Sequence, residues 1–189
     1  MNQFITYFLL GVEHILDLNG VDHILFVIAL CTLYSFSQWK RLLILTTAFT
    51  LGHSLTLALS VLDFVTFDPS VIETLIPITI LITAITNIFT YWQNKIENLR
   101  INYFYAASFG LIHGLGFSNY LKGLLGKDFE IFNQLLAFNL GLEVGQIVIV
   151  ALFLVLGFLF LNILKINQKV WVVAVSSIVA IKSLHLIIY

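Results

Sequence analysis

The sequence predicts an all-α integral membrane protein, a bundle of six to seven transmembrane helices. Of its 189 residues, 60% are hydrophobic and 10% are charged, and the mean hydropathy is +1.01. A soluble domain carries about 25% charged residues, so the composition excludes a water-soluble protein. Apolar runs of roughly 20 residues, the length that crosses a bilayer as a helix, recur along the chain. These runs do not alternate polar and apolar residues, as the strands of a membrane β-barrel would.

The apolar runs follow one another without a linker. The chain contains two prolines, eleven glycines and no long polar stretch, which predicts a single transmembrane domain over residues 1–189. The net charge of -1 and the scattered basic residues argue against a nucleic-acid partner. The single cysteine, Cys31, cannot form an internal disulfide and is expected to be a packed thiol. The N-terminal residues lack the basic start and the cleavage site of a signal peptide, so none is predicted.

Seven apolar segments divide the chain. Their approximate bounds are 3–16, 21–37, 42–62, 71–93, 101–118, 131–163 and 170–188. The first is short for a full crossing, and the sixth is too long for one straight crossing. The sixth is therefore expected to begin in the membrane interface or to bend near Gly157. Six and seven crossings both remain open at this point.

The charges of the loops predict the orientation. Basic residues occupy alternate connections, namely Lys40 with Arg41, Lys95 with Arg100, and Lys165 with Lys169. The connections between them contain Asp17, then Asp63 and Asp68, and then a balanced mixture of Lys122, Lys127, Asp128 and Glu130. Short basic loops remain in the cytoplasm. The connection at 16–20 is thus expected to be external, with a cytoplasmic N-terminus if the first segment spans and an external C-terminus.

Ionisable side chains inside apolar segments mark the candidate site. Such a group costs several kcal/mol at bilayer depth unless it is paired or bound to a ligand. The candidates are His14, Asp22, His23, His53, His113 and Glu143. Helical spacing places them on polar stripes, which are Thr46, Thr50 and His53; Asn139, Glu143 and Gln146; and Thr79, Thr83, Thr86, Asn87 and Thr90. These stripes are expected to face one another inside the bundle.

The predicted orientation also assigns depths to the candidates. His14, Asp22 and His23 are expected near the external surface, whereas His53 and His113 should lie roughly 17 Å into a ~30 Å core. The depth of Glu143 is left open because its helix is overlong. All of them can line one pocket that opens outward. Imidazole and carboxylate ligands, with no pair of thiolates, suit a divalent transition metal such as Ni, Co, Zn or Fe.

Several other polar residues are expected to support the site rather than to bind metal. These are Ser54, Asn87, Asn139, Gln146 and Lys182. Lys182 is predicted to pair with Glu143 or Asp22, and a snorkelling lysine is the alternative. His185, near the external end of the last segment, is interpreted as an interfacial histidine.

Each candidate also has a purely structural interpretation. His14, Asp22 and His23 could form a helix cap and a solvated loop. His53 and His113 could be buried histidines that hydrogen-bond to a threonine or a carbonyl group. Glu143 with Gln146 could be a polar clasp between two helices.

Four ordered elements resemble the HupE/UreJ family of bacterial membrane proteins. They are the His and Asp-His residues of the first connection, FTLGHS, FGLIHGLGF and FNLGLEVGQ, which together extend from Gly11 to about Gln146. The chain is most similar to the branch with an HGLGF-type middle motif. The resemblance implies nickel or cobalt acquisition, with ligand roles carried over to His14, Asp22, His23, His53, His113 and Glu143.

Two functional hypotheses follow. The first is a metal permease of the bacterial cytoplasmic membrane, in which an ion binds at His14, Asp22 and His23 and then passes to His53, His113 and Glu143. The second is a membrane-embedded zinc hydrolase that acts on a lipid or lipoprotein, with Ser54 near the substrate carbonyl. A metal sensor or scaffold has no distinguishing feature, and a homo-oligomer is left open. No inverted repeat is recognised, which counts mildly against transport.

Overall fold

Helices make up most of the chain in the computed structural model, which describes residues 2–93, 99–125 and 131–188. The helices are α1 (Gln3–Leu16), α2 (Asp22–Cys31), α3 (Trp39–Val61), α4 (Pro69–Trp92), α5 (Leu99–Gly116), α6 (Ser118–Leu125), α7 (Ile131–Phe158) and α8 (Gln168–Ile188). No strand occurs in these ranges, so the predicted all-α class is confirmed. The predicted loop charges at Lys95, Lys127, Asp128 and Glu130 lie outside the described residues.

Four helical stretches are long and apolar enough to cross a membrane. They are Phe36–Val61, Pro69–Trp92, Ile131–Ile163 and Gln168–Ile188. Just after Gly157, where a bend is predicted, α7 passes into a π-helical turn at Leu159–Ile163. The second predicted segment is shorter than expected. Its helix ends at Cys31, and a capped 3-10 turn at Phe36–Gln38 leads into α3.

Helices α3 and α5 form a close parallel pair. A methyl group at Gly110 would overlap the carbonyl oxygen of Phe49, and one at Gly114 would overlap that of His53. Gly114 lies one turn after Gly110 in α5, and His53 lies one turn after Phe49 in α3. The two helices therefore run in the same direction. In the reverse sense, a methyl group at Gly52 of α3 would overlap the carbonyl oxygen of Ala107 of α5. Small residues permit this backbone approach within a membrane.

Helices α1 and α7 form a second pair of the same kind. A methyl group at Gly11 would overlap the carbonyl oxygen of Phe138, and one at Gly141 would overlap that of Phe8. Further along both helices, Gly145 packs against Ile15. This pair is therefore also parallel.

An internal repeat relates the two pairs. Gly-x-x-His occurs in α1 at 11–14 and in α5 at 110–113, and Phe-x-Leu-Gly occurs in α3 at 49–52 and in α7 at 138–141. Both patterns also occur once more, at 20–23 and at 8–11, so the correspondence depends on the contacts that the motifs make. In each pair, the glycine of the first motif meets the carbonyl of the phenylalanine of the second. Helix α1 thus corresponds to α5, and α3 to α7. Sequence analysis alone did not recognise this correspondence.

The two halves run in opposite directions through the bundle. Hydrogen bonds join Thr47 to Glu143 and Ser54 to Asn139. Ser54 follows Thr47 in α3, but Asn139 precedes Glu143 in α7, so the two helices run in opposite directions. The α3–α5 pair is thus antiparallel to the α1–α7 pair. The repeat is inverted, with its pseudo-twofold axis between α3 and α7.

Helices α1 and α2 form one broken crossing. The start of α2 lies near Thr79 of α4, because His23 contacts His113 and His113 contacts Thr79. Further along both helices, the amide of Asn87 donates to the carbonyl of Ala29. Helix α2 therefore runs parallel to α4. Since α4 returns from α3 through a short loop, α2 and α1 both run against α3. Their 24 helical residues, 14 in α1 and 10 in α2, span about 36 Å at 1.5 Å per residue.

Helix α6 continues α5 in the same way. The amide of Leu121 donates to the carbonyl of Phe117 across the junction, and Lys122 reaches Asp63 beyond the end of α3. In the described ranges the chain therefore makes six crossings. The start of α1 and the end of α8 then lie on the same side of the bundle, whereas a first segment that spanned alone would put them on opposite sides.

The acidic side of the bundle contains the start of α4. The carboxylate of Asp68 caps this helix by accepting hydrogen bonds from the hydroxyl and the amide of Ser70, and these bonds hold its pKa below the usual value. Lys40, Arg41 and Lys169 lie at the opposite side, where the ammonium of Lys169 rests 4.8 Å from the Trp92 ring. Which of the two sides faces the cytoplasm stays a prediction from the loop charges.

Candidate metal centre

Four histidines from four helices meet in one cluster. The ring centroids of His23 lie 4.6 Å from His14, 5.3 Å from His113 and 5.7 Å from His53. The rings of His14 and His53 are 6.1 Å apart. The residues expected near the surface, His14 and His23, are therefore in direct contact with those expected deeper, His53 and His113. His23 lies at the centre and contacts all three of the other rings.

The broken crossing and the parallel pair position these side chains. His14 lies in the last turn of α1, and His23 lies in the first turn of α2, on either side of the interruption at 17–21. Non-helical backbone at membrane depth is tolerated where it lines a cavity. His53 and His113 follow the glycine contacts of α3 and α5, and both are completely buried.

The donor atoms form two overlapping groups. One consists of His14, His23 and His53, and the other of Asp22, His23 and His113. Within each group the ligand atoms lie within 4.8 Å of one another. Three or four such ligands are what a divalent transition metal requires.

Five imidazole nitrogens of this cluster are buried without a hydrogen-bond partner. They are Nε2 of His14, Nε2 of His23, Nδ1 and Nε2 of His53, and Nδ1 of His113. An unpartnered buried polar atom is costly and needs an explanation. A metal ion would satisfy several of these nitrogens at once. The interpretation of His53 as a hydrogen-bonded core histidine therefore has no support among the described residues.

Hydrogen bonds orient two of the rings. Nδ1 of His23 lies 3.2 Å from Oδ1 of Asp22, and Nε2 of His113 lies 3.2 Å from the hydroxyl of Thr79. Partners of this kind set the tautomer and the direction of a metal-binding imidazole. Asp22 also begins α2, where a carboxylate is favoured by the helix dipole.

An open cleft of about 1020 Å³ leads to the cluster. His14, Asp22, His23 and His113 line it, but His53 does not. Its other charged lining residues are acidic, and these are Glu13, Asp17 and Glu73. Glu73 lies near the start of α4, so the cleft opens on the side away from Lys40 and Arg41. A divalent cation would be attracted to this mouth.

Two aromatic rings, those of Phe117 and Phe138, pack beside the cluster. The Phe117 ring lies 3.8 Å from that of His14 and stacks on Phe138. Sequence reasoning did not single out these rings, although both belong to the motifs that it quoted.

The structure places Glu143 outside both donor groups. Its carboxylate accepts a hydrogen bond from Thr47 and joins α7 to α3. Gln146 accepts from Thr50 at 2.8 Å, and Asn139 accepts from Ser54 at 2.6 Å. These three bonds form the polar clasp that was the structural alternative for Glu143.

The polar stripe predicted on α4 faces the bundle interior only in part. Asn87 is buried and bonds to the carbonyl of Ala29, which ties α4 to α2. On the predicted stripe of α4, Thr79 and Asn87 are buried, but Thr86 is exposed and does not face inward.

Lys182 is exposed on α8 and makes no ion pair with Glu143 or Asp22. The predicted pairing is therefore wrong, and the snorkelling alternative fits its position. We expect Lys182→Met to change the free energy of unfolding by less than about 0.5 kcal/mol, as is usual for a surface substitution. Thermal unfolding of the purified protein in detergent tests this. A protein that fails to fold would indicate a buried ion pair instead.

Comparison with known protein families identifies the family of the chain. A family model described as "HupE / UreJ protein" matches residues 1–188. No curated protein and no solved structure matches the chain.

Proposed function

The chain belongs to the HupE/UreJ family, a family associated with nickel and cobalt transport, and we propose that it is a permease for a divalent transition metal in the bacterial cytoplasmic membrane. One observation carries the proposal. Three buried histidines and the half-buried His14, each with at least one buried nitrogen that lacks a partner, converge at the end of an acid-lined cleft. Imidazole with one carboxylate suits Ni, Co or Zn better than Mg or Ca.

The inverted repeat supports transport over a static site. Many secondary transporters consist of inverted repeats with the substrate site between broken helices near the midplane. Here α1 breaks beside His14, and α2 restarts at Asp22 and His23. The cleft reaches the cluster from the side that the loop charges assign to the exterior.

Polar residues continue from the cluster toward the other side. On α4, Thr79 contacts His113, and Thr83, Asn87 and Thr90 follow along the same face. The sequence contains no phosphate-binding loop of the GxxxxGK[ST] type. An ion gradient or mass action would therefore drive the movement, and protonation of the histidines would release the metal because ligands must be deprotonated.

Reconstituted vesicles test the proposal. The purified protein is placed in vesicles that enclose a metal-sensitive dye, and Ni²⁺ or Co²⁺ is added outside. We expect time-dependent accumulation that protein-free vesicles do not show, and equal accumulation with His185→Ala, which alters the one histidine outside the cluster. Reversible metal binding without any accumulation would contradict a permease.

The volume and the apolar walls of the cleft support a second candidate, a membrane-embedded zinc hydrolase. Leu10, Leu16 and Phe117 supply apolar walls to a cleft of about 1020 Å³, a volume that accommodates an acyl chain. Ser54 does not line this cleft and donates to Asn139, so it has no contact with a substrate there. Elemental analysis separates the candidates. One chelator-resistant zinc per chain favours the hydrolase, and exchangeable Ni or Co favours the permease.

A further inference from the structure

We propose that the cluster holds one metal ion at a time in two overlapping positions and that His23 passes the ion between them. The outer position is formed by Asp22, His23 and His113, and the inner position by His14, His23 and His53. This inference rests on the proposed function, because it describes how the same site loads its ion.

The cleft distinguishes the two positions. All three ligands of the outer position line the cleft, so an ion that enters it meets a complete ligand set. The inner position requires His53, which does not line the cleft, whereas the equally buried His113 of the outer position does. The outer position therefore fills first, and the inner position lies one step further into the protein.

The hydrogen bond of His23 leaves one of its two ring nitrogens to bind a metal ion. Its Nδ1 faces the carboxylate of Asp22 at 3.2 Å, and only its Nε2 is buried without a partner. One imidazole nitrogen binds one ion, so the shared ligand serves a single position at a time. Repulsion between two divalent ions this close together adds to the exclusion.

The two ligand sets differ in chemistry. The outer set includes a carboxylate, which neutralises part of the charge of an arriving dication and binds many divalent metals. The inner set consists of three imidazoles, which favour Ni, Co and Zn over the hard cations Mg and Ca. The step from the outer to the inner position exchanges Asp22 and His113 for His14 and His53 while His23 stays bound. It therefore selects the metal.

Cobalt(II) tests the two positions because its visible absorption reports its ligands. The full chain in detergent is titrated with Co²⁺, alone and in competition with Mn²⁺. The wild type is expected to bind one ion. In His53→Ala the ion remains in the outer position, so we expect one ion with roughly tenfold or more weaker affinity, an altered spectrum and less discrimination against Mn²⁺. His185→Ala is the matched control and should equal the wild type.

A second variant addresses the outer position. Asp22→Asn removes the charge from the first ligand set, so cobalt should bind more slowly but reach a spectrum close to that of the wild type. Should His53→Ala fail to fold, His53→Gln preserves the side-chain volume and tests the same position. Two ions in the wild type, or a folded His53 variant that binds none, would overturn the relay. A wild type that binds no cobalt would instead overturn the proposed function.

Discussion

Replacing His23 with alanine is expected to abolish metal binding. His23 belongs to both donor groups, and its ring contacts those of His14, His53 and His113. Its removal leaves neither position with three ligands. We therefore expect the affinity for Ni²⁺ or Co²⁺ to fall by at least roughly a hundredfold, at or beyond the upper range for perturbed metal sites. Equilibrium dialysis of the purified variant measures the loss.

The matched control for this variant is His185→Ala. His185 is exposed on α8 and lies outside both donor groups. Loss of binding in both variants would indicate a general effect of removing a histidine. A folded His23→Ala protein with wild-type affinity would remove the cluster from the metal site and withdraw the main support for the permease.

Gly110→Ala and Gly11→Ala are both expected to destabilise the protein strongly. The added methyl group would overlap the carbonyl of Phe49 in the first case and that of Phe138 in the second. The obstacle is backbone, which cannot rotate away, so the helices of each pair must separate. Overpacking costs about 1–3 kcal/mol in a packed core, and we expect losses at or above the upper end of this range.

Gly123→Ala is the control for both substitutions. A methyl group at Gly123, in α6, would meet no atom within 4 Å. There the change should be neutral or stabilising, since alanine exceeds glycine in helix propensity by about 1 kcal/mol. The free energy of unfolding, from reversible unfolding in detergent, should fall for the two repeat-related variants and not for the control. Wild-type stability in Gly110→Ala would show that α3 and α5 do not pack at this distance.

The sequence alone was sufficient to identify most of the crossing segments. The structure begins α1 at Gln3 and ends it at Leu16, as predicted, and α4 and α8 agree within two residues. The reason is local. Lipid solvates any long apolar helix, so hydropathy along the chain reports each crossing without knowledge of its neighbours. Unpaired histidines in such segments stand out for the same reason, because the bilayer offers them no water.

The second segment shows where local reasoning ends. Hydropathy extends it to residue 37, but the helix ends at Cys31 and Ser35 caps a separate turn. The sequence also suggested that His14 and Asp22 lie on an external loop. In the structure the chain does not turn back there, and α2 continues in the direction of α1. Which direction a chain takes after an interruption depends on the helices that receive it, here α4 and α7.

The depth of the site and its symmetry were decided by tertiary structure alone. Two four-residue motifs are too short to reveal a repeat, yet the same glycine-to-carbonyl contact occurs in both helix pairs. The sequence determined that this is a helical membrane protein and that its histidines need a partner. Only the packing of backbone against backbone at those glycines decided that four histidines meet in one cluster. That packing joins residues far apart in the sequence, such as Gly110 with Phe49 and Gly11 with Phe138, and no local pattern reports such a contact.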